Sequence, residues 1–164
     1  MIFIVPDGKP PKQYASHPVV KACEECYDDY LDNCSGFVKA VLKKLGLSPV
    51  ANLFPNLGQA NDIVEAFKMA PWTKIASSVL AAKMSEDHGR VVLAGCKDAP
   101  NGHVVVIVPG GLTGGKYPTA YWGSKDNPDK SAKYQTINWA WTGDDIDDVT
   151  YAYVTRWHGA SGSW

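Results

Sequence analysis

Apolar residues change their spacing partway along this chain, near Gly89. Before that point they recur at three- and four-residue intervals, the period of a helix with one buried face. After it they fall in short β-branched or aromatic runs separated by Gly, Pro, Asn and Asp, the texture of strands and turns. Pro6, Pro10 and Pro11 make residues 1–16 an extended arm. A helix is expected over 17–31, where Val19, Val20, Cys23, Tyr27 and Tyr30 fall near helical spacing. A second is expected over 32–46. There Phe37, Val38, Val41, Leu42 and Leu45 form one stripe, Asp32 or Asn33 can cap the start, and Gly46 can end it. Weaker helical patterns cover 57–69 and 74–87, on either side of Pro71. Strands are expected over 90–96, 102–108, 118–124, 135–141 and 149–156. Helices first and strands afterwards imply an α+β domain, its N-terminal helices packed on one antiparallel sheet of about five strands.

Composition bounds what such a domain does. The chain has 164 residues, 45% of them hydrophobic and 20% charged, which fits a single domain with a real core. The expected division is an arm over 1–16, a single domain over 17–157 and a frayed tail over 158–164. Sixteen basic against 17 acidic side chains give a net charge of −1, without the electrostatic footprint of a nucleic-acid or membrane-surface binder. The longest uninterrupted aliphatic run, residues 104–108, is far short of the ~20 residues of a membrane span. Residues 1–7 lack the basic and apolar regions of a secretory signal peptide.

Four cysteines stand at 23, 26, 34 and 96, too unevenly spaced for a disulfide-stapled miniature fold. Cys23 and Cys26 form a C-x-x-C, but Glu24 and Glu25 between them disfavour a thiolate, and helix packing is the expected role. No spacing of Cys or His completes a zinc site, and no metal or organic cofactor is expected. Cys96, at the end of a Val-rich strand, is expected to pack internally.

Cys34 is different because of where it sits. A thiol in the first turn of a helix faces unpaired backbone N–H groups and the positive end of the macrodipole, and both stabilise a thiolate. The same N–H groups can bind the oxyanion of a tetrahedral intermediate. Taken alone, a first-turn cysteine is more often a packing residue than a nucleophile. His103 changes that balance, since Gly102 and His103 open a strand and place an imidazole at the rim of the sheet. A helix-tip thiol facing an imidazole on the adjoining sheet is the arrangement of a papain-type nucleophile. If the turn over 109–116 is a symmetric hairpin, Trp122 lies opposite His103 and Ser124 lies diagonal to it. A backbone carbonyl near Trp122, or the Ser124 hydroxyl, would then orient the imidazole.

These residues carry a resemblance. Asp32-Asn33-Cys34-Ser35-Gly36-Phe37-Val38 resembles the nucleophile helix of the NlpC-type cell-wall peptidases, and Gly102-His103-Val104-Val105-Val106-Ile107 resembles their histidine strand. The two motifs, with Lys116-Tyr117-Pro118 and Trp122-Gly123-Ser124 after them, are similar to the type VI secretion amidase effectors of family one, bacterial toxins injected into rival cells. The resemblance implies a papain-like fold and a cysteine amidase with Cys34 and His103 as catalytic residues. It implies hydrolysis of a peptidoglycan stem peptide at the bond between D-glutamate and meso-diaminopimelate. It also implies a cognate immunity protein, export by the type VI apparatus without a signal peptide, and action in the recipient's periplasm; a monomer is expected. Cleavage of a D-alanyl–diaminopimelate cross-link, acyl transfer on the same fold, and a catalytically silent cell-wall-binding module are the competing readings. Two departures from the family stand out. The tail holds no Cys to form the disulfide some members carry, and the third motif reads Thr119-Ala120-Tyr121-Trp122 without a Cys.

Other signals read as structure. Gly110 to Lys116 fits G-x-x-x-x-G-K, but Tyr117 and Pro118 follow where a phosphate loop has Ser or Thr and a helix. The acidic run over 144–148 lacks the spacing of a calcium loop and reads as a solvated turn. His17 and His88 read as a helix start and a helix end, and His158 as an exposed tail residue. Trp139 and Trp141 are expected to share one strand face, as are Tyr151 and Tyr153.

Overall fold

The strands richest in β-branched residues lie at the middle of a six-stranded antiparallel sheet. The computed structural model describes residues 6–47, 49–98, 101–124 and 127–156. Among these, the strands are β1 (Thr73–Ile75), β2 (Arg90–Cys96), β3 (His103–Ile107), β4 (Thr119–Trp122), β5 (Ala132–Thr136) and β6 (Thr150–Thr155), in the spatial order β1-β6-β2-β3-β4-β5. The helices are α1 (Lys12–Ala15), α2 (Pro18–Cys26), α3 (Cys34–Lys44), α4 (Ala60–Ala66) and α5 (Ser78–Met84). This is an α+β architecture.

Residues 91–94 and 104–107 are all buried, because the sheet is covered on both faces. On one face α2, α3 and α4 pack against Val91, Leu93, Val104, Val106, Tyr121 and Val154. On the other, α5 and the stretch after β5 cover Val92, Ala94, Val105, Ile107 and Trp122. Helices therefore lie on both faces of the sheet. Continuous apolar strands need a lid on each side, and α5 supplies part of the second one.

Several boundaries also move. The sheet has six strands, because 73–75, read as the edge of a helix, pairs with β6 as β1. The helix begins only after Ser77, whose Oγ accepts from the Leu80 N–H at 3.1 Å. The strand expected over 135–141 stops at Thr136 and gives way to a 3-10 turn over Ile137–Trp139, so Trp139 and Trp141 do not share a strand face. Helix 17–31 is realised as α2 followed by a 3-10 turn over Tyr27–Asp29. The N-terminal arm is not extended throughout, since Lys12–Ala15 makes one helical turn. Before that turn, Gly8 lies against the edge strand β5, where its N–H donates to the Lys133 carbonyl at 2.7 Å and helps close that edge. The tail over 158–164, with His158, lies outside the described residues.

Candidate active site

The site is built around the start of α3. Asn33 caps the helix, its Oδ1 accepting from the Gly36 N–H at 2.8 Å and from the Ser35 hydroxyl at 3.3 Å. Cys34 is the first helical residue, at the positive end of the dipole, while Lys43 and Lys44 occupy the opposite, negative end. Phe37, Val38, Val41 and Leu42 form the predicted stripe, wholly buried, and seat α3 against β3 and β4. The segment leading into Cys34 is stitched to the end of β4. There the Ser124 N–H donates to the Leu31 carbonyl at 2.9 Å. Gly123 lies so close that a Cβ on it would overlap the carbonyl oxygens of Tyr30 and Asn33. A side chain at 123 would thus push on the cap of α3 itself.

His103 is the first residue of β3 and pairs directly with Cys96, the last residue of β2. The loop between these strands is fixed from α4. The Asn61 side chain donates to the Asp98 carbonyl at 2.7 Å and accepts from the Asp98 N–H at 3.1 Å. The imidazole is half-buried, with Nδ1 shielded from solvent. It meets Trp141 edge-on at 5.2 Å between ring centroids and Trp122 at 6.3 Å. The Trp122 indole is itself anchored, its Nε1–H donating to the Lys130 carbonyl at 2.9 Å.

The register of the β3–β4 hairpin differs from the symmetric count. Val106 pairs with Tyr121 and Ile107 with Ala120. Continuing that register puts Ser124, rather than Trp122, opposite His103. The reversal comes later than its midpoint suggests, because Gly114 and Gly115 take the left-handed conformation and Thr113 bridges to Tyr117. A two-residue slip preserves the face, so Trp122 still lies on the His103 side of the sheet. The Ser124 hydroxyl accepts from the Asn127 N–H at 3.2 Å.

Two hollows flank these residues. A small polar one of about 110 Å³ is lined by Asp32, Asn33, Cys34, Ser35, Gln59, Ala60, Asn101 and Gly102. A larger cleft of about 710 Å³ is lined in part by Cys96, Gly102, His103, Trp122, Ser124, Trp139 and Trp141. Gly102 lines both, with Cys34 on the wall of the smaller and His103 on that of the larger. Cys34 is only 4% exposed, yet the hollow beside it is polar. All four sequence-chosen residues, Cys34, His103, Trp122 and Ser124, line one hollow or the other.

Cys96 is corrected. It is part-exposed at the rim of the larger cleft instead of packing internally, because β2 ends beside His103. Counting outward from the middle of the 97–102 loop would have paired these two residues. Gln59, Asn101, Lys74, Lys130, Asp145 and Asp148 also line the hollows and were missed. They stand in loops, at helix starts or on an edge strand, where no periodicity marks them. Glu65 draws Lys97 to 2.8 Å and Lys68 to 3.4 Å at the cleft margin, and these lysines, Lys97 first, hold its carboxyl below the usual range.

No protein-family model matches the chain. Over 141 aligned residues, covering 81% of this chain and 86% of the relative, it is 35% identical to the peptidoglycan amidase Tse1 of Pseudomonas aeruginosa. The aligned stretch covers more than four-fifths of each protein. The chain belongs to the type VI secretion amidase effector family.

Proposed function

We propose that this chain is a peptidoglycan peptide amidase of papain-like mechanism that acts as an antibacterial toxin in the periplasm of a recipient cell. Cys34 is the nucleophile, His103 the acid–base partner, and the bond cut is that between D-glutamate and meso-diaminopimelate. One observation carries this reading: a capped helix tip bearing Cys34 and a strand start bearing His103 border two hollows that share Gly102. The relative's activity, at 35% identity, supplies the substrate class.

The chemistry follows from the placement. The Cys34 thiolate attacks the scissile carbonyl carbon, forming a C–S bond while the carbonyl oxygen takes the negative charge. The helix-tip amides, including that of Cys34, stabilise this oxyanion; the Gly36 amide is committed to Asn33 and serves the cap. The intermediate collapses by breaking the C–N bond, and imidazolium His103 gives its proton to the departing nitrogen. Water, losing a proton to His103, then attacks the thioester and restores the thiolate. A carbonyl near Trp122 or the Ser124 hydroxyl orients the imidazole, and Trp141 holds its edge.

Export by type VI secretion and an immunity protein that blocks the cleft belong to the same proposal. Among the described residues no helix is long and apolar enough to cross a membrane. The test is digestion of purified sacculi followed by mass spectrometry of the fragments. Cys34→Ala and His103→Ala should each abolish product release, with circular dichroism spectra unchanged. Products cut at the D-alanyl–diaminopimelate cross-link, or carrying a transferred amine, would replace the proposed reaction by another on the same thiol. A folded Cys34→Ala protein with full activity would remove the mechanism altogether.

A further inference from the structure

We infer that Asn61, on α4, is a positioning residue for His103: its carboxamide grips both arms of the β2–β3 connection and so sets where the imidazole stands relative to Cys34. This rests on the nucleophile and acid assignments made above, and Asn61 itself lines neither hollow.

A primary amide carries a donor and an acceptor side by side, as a peptide group does. Asn61 spends both on one residue, Nδ2 donating to the Asp98 carbonyl at 2.7 Å and Oδ1 accepting from the Asp98 N–H at 3.1 Å. A neighbouring strand would pair with Asp98 in the same way. That is the arm leaving β2. The arm entering β3 meets the same side chain. Gly102 immediately precedes His103, and a Cβ on it would come within 2.4 Å of Asn61 Oδ1 and of the Cys96 carbonyl oxygen. His103 is therefore placed from two sides, by its pairing with Cys96 and by Asn61 against Gly102. One turn along the same face of α4, Glu65 draws Lys97 to 2.8 Å. That tie ends on an exposed, flexible lysine stem, which leaves the backbone room to shift. The carboxamide holds the backbone itself.

A clamp positions only if its base is fixed. Ile63 and Ala66 seat α4 in the core with no exposed area. Val64 lies so close to β2 that a Cβ on Gly95 would come within 2.6 Å of its Cγ2. Gln59 and Ala60, just before Asn61, line the hollow of Cys34. The base of the clamp thus belongs to the wall beside the nucleophile, and its tip holds the strand start that bears the imidazole. Proton transfer and ion pairing between two such groups depend on their separation to within about 0.5 Å.

The experiment follows iodoacetamide alkylation of Cys34 across pH in wild type, Asn61→Ala, His103→Ala and the double variant, with turnover of a soluble muropeptide alongside. An imidazolium beside a thiol favours the thiolate, so His103→Ala should move the Cys34 profile to higher pH. Asn61→Ala should move it the same way by less, and kcat should fall by about ten- to a hundredfold with KM within about twofold. In the His103→Ala background Asn61→Ala should add no shift, because the ring it acts through is gone. A residue that only stabilised α4 would act alike in both backgrounds. Glu65→Gln should leave kcat within about threefold, as the loss of an exposed ion pair does. Should Asn61→Ala fail to fold, Asn61→Leu, close in volume and a stronger helix former, carries the same comparison. An unchanged profile in the Asn61 variant, a shift that persists without His103, or equal losses from Glu65→Gln would overturn the inference. If His103→Ala itself leaves the Cys34 profile in place, the Cys34–His103 assignment falls, and the inference falls with it.

Discussion

Cys23 and Cys34 sit on adjacent helices, and both are closed to bulk solvent, at 0% and 4% exposure. By burial they are the same residue twice. Their settings differ. Cys23 lies inside α2, packed in the core, where burial first and then Cys26 and Glu24 push its thiol well up. Cys26 is raised as well, chiefly by burial. Cys34 begins α3, beside the cap made by Asn33 and the polar hollow that ends at Gly102. A thiol in the middle of a helix meets backbone groups that are already paired to each other. One at the N-terminus meets donors that the helix cannot satisfy internally. Position along the helix, more than depth in the protein, separates the packing cysteine from the candidate nucleophile.

The sharpest attempt to break this contrast is chemical labelling. Iodoacetamide near pH 6, followed by peptide mass spectrometry, should modify Cys34 at least a hundredfold, by order of magnitude, faster than Cys23 or Cys26. Comparable rates at all three would end the distinction. Next in size is Gly123→Ala. The added Cβ displaces Tyr30 and Asn33, and with them the tip of α3, so turnover should fall by about a hundredfold, as misplacements near 1 Å do. Its alkylation profile at Cys34 should move to higher pH, a readout that a change in bulk stability alone would not produce.

A smaller effect comes from Asn33→Ala. Losing the bond to the Gly36 N–H should cost about 1 kcal/mol in denaturant titrations, and Cys34 alkylation should slow several-fold. The same cap loss at Ser77→Ala on α5 should cost similar stability and leave the Cys34 rate alone. The smallest effect concerns His17, a buried ring far in sequence from the site. Its Nδ1 accepts from the Val19 N–H at 3.2 Å, its Nε2 faces the Glu86 carbonyl at 3.2 Å, and it meets His88 edge-on at 4.6 Å. Burial first, then His88 and Arg156, lower its pKa against the opposing pull of the Glu86 carbonyl and Asp87. The unfolded chain therefore binds a proton more readily than the folded one. Its contribution is fully present above about pH 6.5 and is lost as pH falls through the lowered folded value. Tm should drop between pH 7.5 and pH 5 by more in wild type than in His17→Asn.

The cysteine contrast was legible before any fold was known, because it is local. A capping residue, a thiol and an apolar stripe over 33–45 announce a helix start, and Glu24 and Glu25 mark Cys23 and Cys26 as poor thiolates. His103 was legible for the same reason, at the junction of a glycine and a β-branched run. What surrounds these residues was not. Trp141 reaches His103 through a 3-10 turn that replaced an expected strand, and β1 exists because β6 offers an edge to pair with. The β3–β4 register turned on where two glycines reverse the chain, which a symmetric count misses.

Periodicity, caps and turn residues act over a few neighbours, so the sequence by itself determined the order of elements and which residues stand at their ends. A cleft is a meeting of segments far apart in the chain. Lys74, Lys130, Trp141 and Asp148 come from four of them, and loop closure, strand pairing and the covering of both sheet faces brought them together. Those choices minimise exposed apolar area and unpaired backbone over the whole domain at once, and no local pattern encodes that sum.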